Sequence, residues 1–199
     1  MTGIKLMGRW DTTQVKVNDP GLQRYINLEP IYVPRTYGRH AKIQFHKNKY
    51  HIIERLMNHL MTPGHRGKKH MLSSGHCGGK SLTAYTIVEK ALTIIEAKTK
   101  QNPVEVLVRA IENAAPRDEI TTIEYGGARY PQAVDCSPQR RIDLVLRIMV
   151  QGAYQKSFGK KVKMKDALAE EILLAFQNEQ KSAAVAKKLE LERQADAAR

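Results

Sequence analysis

From about Lys49 to Gln177, apolar residues return at steps of three and four in five separate runs, a period that fits helices packed on one another and little else. The first run, Ile52, Ile53, Leu56, Met57, Leu60 and Met61, is broken by Thr62-Pro63-Gly64. The second starts at Ser81 and carries Ala84, Ile87, Val88, Ala91, Leu92, Ile94 and Ile95 to about Lys98. Asn102 as a cap, Pro103 at the first helical position and Glu105 in the place of a capping-box partner mark the third, which ends at Pro116. Ser137-Pro138 opens the fourth, with a hydroxyl cap and Ile142, Val145, Leu146 and Met149 inward. The fifth runs from Met164 or Lys165 to Gln177 through Leu168, Ala169, Ile172, Leu173 and Phe176. Residues 182–199 are Ala-rich, with Lys188 and Glu192 four apart, and read as a terminal helix that packs weakly or docks on a partner. With 199 residues, the chain is long enough for one such core with appendages and short for two.

Two stretches break the helical pattern. Residues 1–47 hold Pro20, Pro30 and Pro34 and no sustained period, so they read as an extended basic N-terminal arm that orders on a partner, leaving residues 48–199 as the helical domain. Residues 119–125 and 129–134 are β-prone and flank Gly126-Gly127-Ala128, which predicts a hairpin over about 119–135. Its polar make-up suggests that it projects from the body. Tyr125 and Tyr130 then flank the tip as the best candidates for stacking on bases, ahead of Tyr32, Tyr37, Tyr50 and Tyr85.

Charge says what the partner is. Lys and Arg number 33 against 20 Asp and Glu, a formal net charge of +13. Such an excess repels itself unless a polyanion offsets it. Between Pro30 and Val88 the sole acid is Glu54, set among Arg35, Arg39, Lys42, Lys47, Lys49, Arg55, Arg66, Lys68, Lys69 and Lys80. A solvated surface would mix the signs, so the segment reads as a nucleic-acid contact. Residues 63–80 form a long glycine-rich loop that suits close approach to phosphates. A second basic loop follows at residues 158–165, with Lys160, Lys161 and Lys163.

Other chemistries fail on spacing. His65, His70, His76 and Cys77 offer zinc ligands but no paired spacing, so no metal is expected. Gly78-Gly79-Lys80-Ser81 resembles the tail of a phosphate-binding P-loop, yet Ser74 stands where its first glycine belongs. No nucleophile motif is present, and neither an enzyme nor a cofactor nor a small-molecule substrate is expected. The two cysteines, Cys77 and Cys136, read as free thiols. No run is long and apolar enough for a membrane span, so a cytoplasmic location is expected. A helix-turn-helix DNA-binding regulator, using the Ser137 helix, is the alternative reading.

The residues Asn102-Pro103-Val104-Glu105-Val106-Leu107, Ala110-Ile111-Glu112-Asn113-Ala114-Ala115-Pro116-Arg117 and Gln132-Ala133-Val134-Asp135-Cys136-Ser137-Pro138-Gln139-Arg140-Arg141 together resemble the small-subunit ribosomal protein seven family. The likeness runs from about Lys49 to the C-terminus, and Leu168-Ala169-Glu170-Glu171-Ile172 fits the family's fifth helix. The lead of Gln132-Ala133-Val134-Asp135 into Ser137-Pro138, with the long arm and loop, is similar to the archaeal branch. The resemblance implies a mainly α fold, a six-helix bundle with one protruding β-hairpin. It further implies binding to the 3′ major (head) domain of small-subunit rRNA, nucleation of that domain's assembly, a hairpin tip (Tyr125, Gly126, Gly127, Ala128, Arg129, Tyr130) near exit-site tRNA and mRNA, and ribosomal proteins nine and eleven as neighbours. By motif Lys80, Arg117, Arg129, Arg140 and Arg141 become rRNA contacts, and by position Lys47 and Lys49 join them. The other cations of the arm and loops, Arg35, Arg39, Lys42, Arg66, Lys68, Lys69, Lys160, Lys161 and Lys163, are expected contacts on charge alone.

Overall fold

A computed structural model describes residues 3–62 and 80–199. The loop expected over residues 63–80 therefore lies outside the described residues except for Lys80, and with it Arg66, Lys68, Lys69 and the His65, His70, His76 and Cys77 group. Among the described residues the order is α1 (Pro20–Gln23), α2 (Ile52–Leu60), α3 (Ser81–Thr99), α4 (Pro103–Ala114), β1 (Asp118–Tyr125), β2 (Ala128–Asp135), α5 (Pro138–Ser157), α6 (Met164–Phe176) and α7 (Ala183–Ala197). Among the described residues the fold is mainly helical with one two-stranded antiparallel hairpin; α2 to α6 fall where the apolar period predicts them, and α7 falls in the Ala-rich terminal stretch.

α6 is the centre. It packs against α3, α4 and α5, and Ala167, Leu168, Ala169, Ile172 and Ala175 are fully buried. Its small residues let neighbouring axes come close, while Leu107, Ile111, Ile142, Leu146 and Met149 of α4 and α5 fill the space between. Each large apolar side chain so enclosed stabilises the fold by about 1.5–3 kcal/mol.

The helix ends differ in detail from the sequence signals. Asn102 caps α4 by accepting from the Val104 amide at 3.1 Å, as its position predicts. Ser137 holds the cap position of α5 without a side-chain hydrogen bond. The start of α7 is capped from another helix: the fully buried carboxylate of Glu171, on α6, accepts from the Ser182 hydroxyl at 2.8 Å and the Ala183 amide at 2.6 Å. Its other oxygen lies 3.1 Å from the Lys156 ammonium of α5. Gly152 makes room for this junction, since a Cβ there would stand 2.8 Å from that of Ala183.

α7 is thus not the loosely held helix its composition suggests. Ala184, Val185 and Ala195 are buried, Lys188 donates to the Asn113 carbonyl at 2.8 Å, and the helix packs on both strands as well as α5. Alanine supplies little apolar area per residue, but it allows the close approach that these polar ties need.

The described residues before α2 also join the core. Leu6, Met7, Trp10, Val15, Leu22 and Ile26 are buried in the same apolar cluster as the helices. The segment is stitched across the bundle. The Trp10 indole N–H donates to Glu96 of α3 at 3.0 Å, Asn102 donates to the Asp11 carbonyl at 2.6 Å, and Glu112 of α4 accepts the amides of Asn18 and Asp19. The Ile52 amide at the start of α2 donates to the Asn27 carbonyl at 3.1 Å. An irregular backbone satisfied by side chains has no period to read, which is why composition alone suggested an arm that waits for a partner.

Replacing Glu171 by alanine strands the α7 donors and leaves Lys156 without its buried partner. The expected cost is about 2–4 kcal/mol in urea unfolding, with Glu171→Gln milder because one acceptor oxygen survives. Wild-type stability in the alanine variant would remove the cross-helix cap as a structural element.

Candidate nucleic-acid interface

The hairpin is built by register and a glycine turn. Tyr125 pairs with Ala128 across Gly126 and Gly127, whose φ values of 58° and 82° give the doubly left-handed turn that matches strand twist. Tyr130 lies opposite Ile123 and Arg129 opposite Glu124. Cross-strand partners share a face, so Tyr125, Ile123 and Tyr130 line one side and Arg129 points to the other. All residues from Thr121 to Gln132 are exposed, and Tyr125 is 82% exposed. Eight residues per strand make a ribbon roughly 25 Å long.

A lone ribbon is marginal in water, so its base is braced. Arg140 at the start of α5 pairs with Glu119 at 2.6 Å, Arg199 reaches Asp118, and the Arg117 amide donates to Glu192 of α7 at 3.2 Å. The hydrogen bond to Glu119 raises the Arg140 guanidinium above its ordinary value. Asp143 stands three residues after Arg140 on α5, a spacing that would allow a surface pair. Asp143 instead faces α2.

There it joins three elements. The Arg55 guanidinium, 1% exposed, donates to Asp143 at 2.9 Å and to the Tyr25 carbonyl at 3.0 Å, while Lys47 reaches the second carboxylate oxygen at 2.6 Å. Burial works to raise the Asp143 carboxyl, but hydrogen bonds from His59, Lys47 and Arg55 overcome it and hold the group well below the usual carboxylate range. Burial pulls Arg55 down from its ordinary value, against the pull of Asp143. The signal for this pair was an arginine inside the apolar stripe of α2, where a charge survives only with a partner.

Arg141 is also internal. It is 9% exposed, donating to the Pro116 carbonyl at 3.0 Å and to Asp19 at 2.9 Å, and so ties α5 to the chain just before α1. Burial raises the Asp19 carboxyl, but the Gly21 amide and Arg141 prevail and hold it below its ordinary value. Cys136, the free cysteine among the described residues, is buried, and burial pushes its thiol up.

The remaining predicted cations face outward. Arg39, Lys42, Lys49, Lys80, Arg117, Lys160, Lys161 and Lys163 are exposed and make no ion pair among the described residues. The structure brings one group together. Arg35 bonds to Ser81 beside Lys80, and Lys47 pairs with Asp143 on the α5 turn that carries Arg140, so the arm reaches both the α3 start and the α5 start. Lys160, Lys161 and Lys163 stand apart at the far end of α5, roughly 30 Å along its axis. Arg129 is separate again, near the hairpin tip.

His51 sits under this surface. Its Nδ1 caps α2 by accepting from the Ile53 amide at 3.2 Å, and burial pulls its pKa down to about 4. The folded state holds it neutral, whereas the unfolded chain protonates it near the ordinary 6.5. Its contribution is therefore complete above pH 6.5 and is lost as pH falls towards 4, by about 3 kcal/mol. Unfolding free energies between pH 7 and 4 measure this slope, and His51→Asn, which keeps a capping acceptor without a titration, should flatten it.

Three comparisons bear on what such a surface serves. A family model described as ribosomal protein S7p/S5e matches residues 22–199, reaching back past Lys49 to Leu22, which the core encloses. The small ribosomal subunit protein uS7 of Nanoarchaeum equitans is 57% identical over 98% of this chain and 99% of its own length. That of Methanosphaera stadtmanae is 51% identical over 98% of each. The chain belongs to the ribosomal protein S7p/S5e family, RNA-binding structural proteins of the small ribosomal subunit.

Proposed function

We propose that this chain binds the 3′ major (head) domain of small-subunit rRNA, nucleates its folding and extends its hairpin towards exit-site tRNA and the mRNA exit channel, with ribosomal proteins nine and eleven beside it. The observation that carries the reading is a division of charge. Asp143, Asp19 and Glu171 are spent on internal ties, while among the described residues Arg39 and Lys42 of the arm and Lys160, Lys161 and Lys163 of the loop after α5 lack ion-pair partners and await phosphates. The exposed ribbon, with Tyr125 and Tyr130 near its end, suits a strand whose bases are open. Arg141 supports this surface from beneath rather than touching RNA. As part of the ribosome the chain would act in the cytoplasm.

A DNA-binding regulator is poorly served by this geometry. α5, the recognition helix in that reading, is packed by α2, α4, α6 and α7, and Arg140 in its first turn is engaged by Glu119 at the hairpin base.

Binding to a head-domain rRNA fragment should weaken with salt at a log–log slope of about −0.7 to −0.9 per phosphate contact. Salt-insensitive binding would overturn the reading. Trimming the hairpin between Ile123 and Gln132 should leave that affinity within about twofold, because few of the free cations lie on it, while loosening tRNA held at the exit site. Loss of rRNA binding on trimming would make the hairpin part of the anchoring surface.

A further inference from the structure

The chain between Arg35 and Tyr50 is fastened at both ends and free between them. At the near end, Glu54 accepts from the Thr36 amide at 2.8 Å and its hydroxyl at 2.7 Å. At the far end, Asn27 donates to the Lys49 carbonyl at 2.8 Å, and Lys47 holds Asp143. Between these anchors the backbone bonds are local: Arg39 to Thr36, Ala41 to Gly38, Ile43 to His40 and His46 to Ile43. The segment is a string of tight turns laid on the body without a ladder to it.

Those turns push two rings into solvent. Tyr37 is 82% and Phe45 83% exposed, and both sit in left-handed backbone, with φ of 52° and 62°. A bulky residue strains such a backbone, and an apolar ring in water gains nothing from burial. Among the described residues nothing covers the Phe45 ring, and Tyr37 has only a guanidinium beside it. Around the rings lie cations: Arg39, Lys42 and Lys49 are exposed, and the Arg35 guanidinium stands 5.5 Å over the Tyr37 ring. The acid of this stretch, Glu54, is turned inward and 6% exposed.

Exposed rings set among unpaired cations fit single-stranded nucleic acid. Charges follow the phosphates, and rings take base faces, which a strand offers only where it is unpaired. An A-form duplex hides those faces and presents phosphates and 2′-hydroxyls instead. We propose that Phe45, assisted by Tyr37, is a stacking platform for unpaired ribonucleotides, so that this segment grips a single-stranded loop or junction rather than a helix. The proposal rests on the rRNA-binding reading above and adds to it the strandedness of the target and the residue that senses it.

Phe45→Asn tests it in the full-length protein. Asparagine tolerates the left-handed backbone and removes the ring, so the thermal midpoint should not fall. Affinity for a labelled oligo(A) strand should drop roughly tenfold to a hundredfold, affinity for a duplex RNA of equal length should stay within about twofold, and the salt slope should be unchanged. Phe45→Trp should keep the single-strand affinity. Undiminished oligo(A) binding by Phe45→Asn, or an equal loss on strand and duplex, overturns the platform. In either case, salt-dependent binding of the wild type to the head-domain fragment would leave the parent reading standing. Failure of the wild type to bind any of these RNAs overturns both.

Discussion

A chain with a net charge of +13 can fold only if its acids are placed where they hold elements together, and Asp143 shows how. It neutralises Arg55 at the buried contact of α2 with α5 and draws in Lys47 from the arm. Removing one partner of such a pair leaves a charge in an apolar surround, a penalty of about 3–5 kcal/mol. Glu171, Asp19, Glu54 and Glu119 repeat the pattern, each joining one element to another. Acids are the staples of this structure, and the cations left over become its outer surface.

That division links stability to recognition. The bundle is rigid because its polar groups are spent inside it, so the surface it presents to RNA needs little ordering on contact. The hairpin follows the same logic at smaller scale: its base is tied to α5, α7 and the C-terminal Arg199, and its outer residues are exposed. The anchored turns between Arg35 and Tyr50 do likewise, with ends fixed and rings exposed.

Much of this was legible in the sequence. Helix positions followed from apolar period and proline punctuation, and the hairpin from two β-prone runs around Gly126-Gly127. The basic tract around Glu54 pointed to a polyanion, and the run from Gln132 to Arg141 carried the family. What escaped was a matter of partners. Arg141 looks like Arg140 in a string of letters, yet one is buried against Asp19 and the other sits 57% exposed beside Glu119. Phe45 passed unremarked because an isolated aromatic in an irregular stretch carries no period.

Local rules therefore determined where helices begin and end, where the chain turns and what kind of partner its charge demands, because capping, periodicity and electrostatic excess act over a few residues or over the whole composition. Tertiary structure alone decided which charges are internal and which are offered outward, that the segment from Leu6 to Ile26 belongs to the core, and that α7 is capped from α6. Those outcomes depend on desolvation and distance between groups remote in sequence, as in the 122-residue separation of Arg141 from Asp19, and no local pattern encodes them.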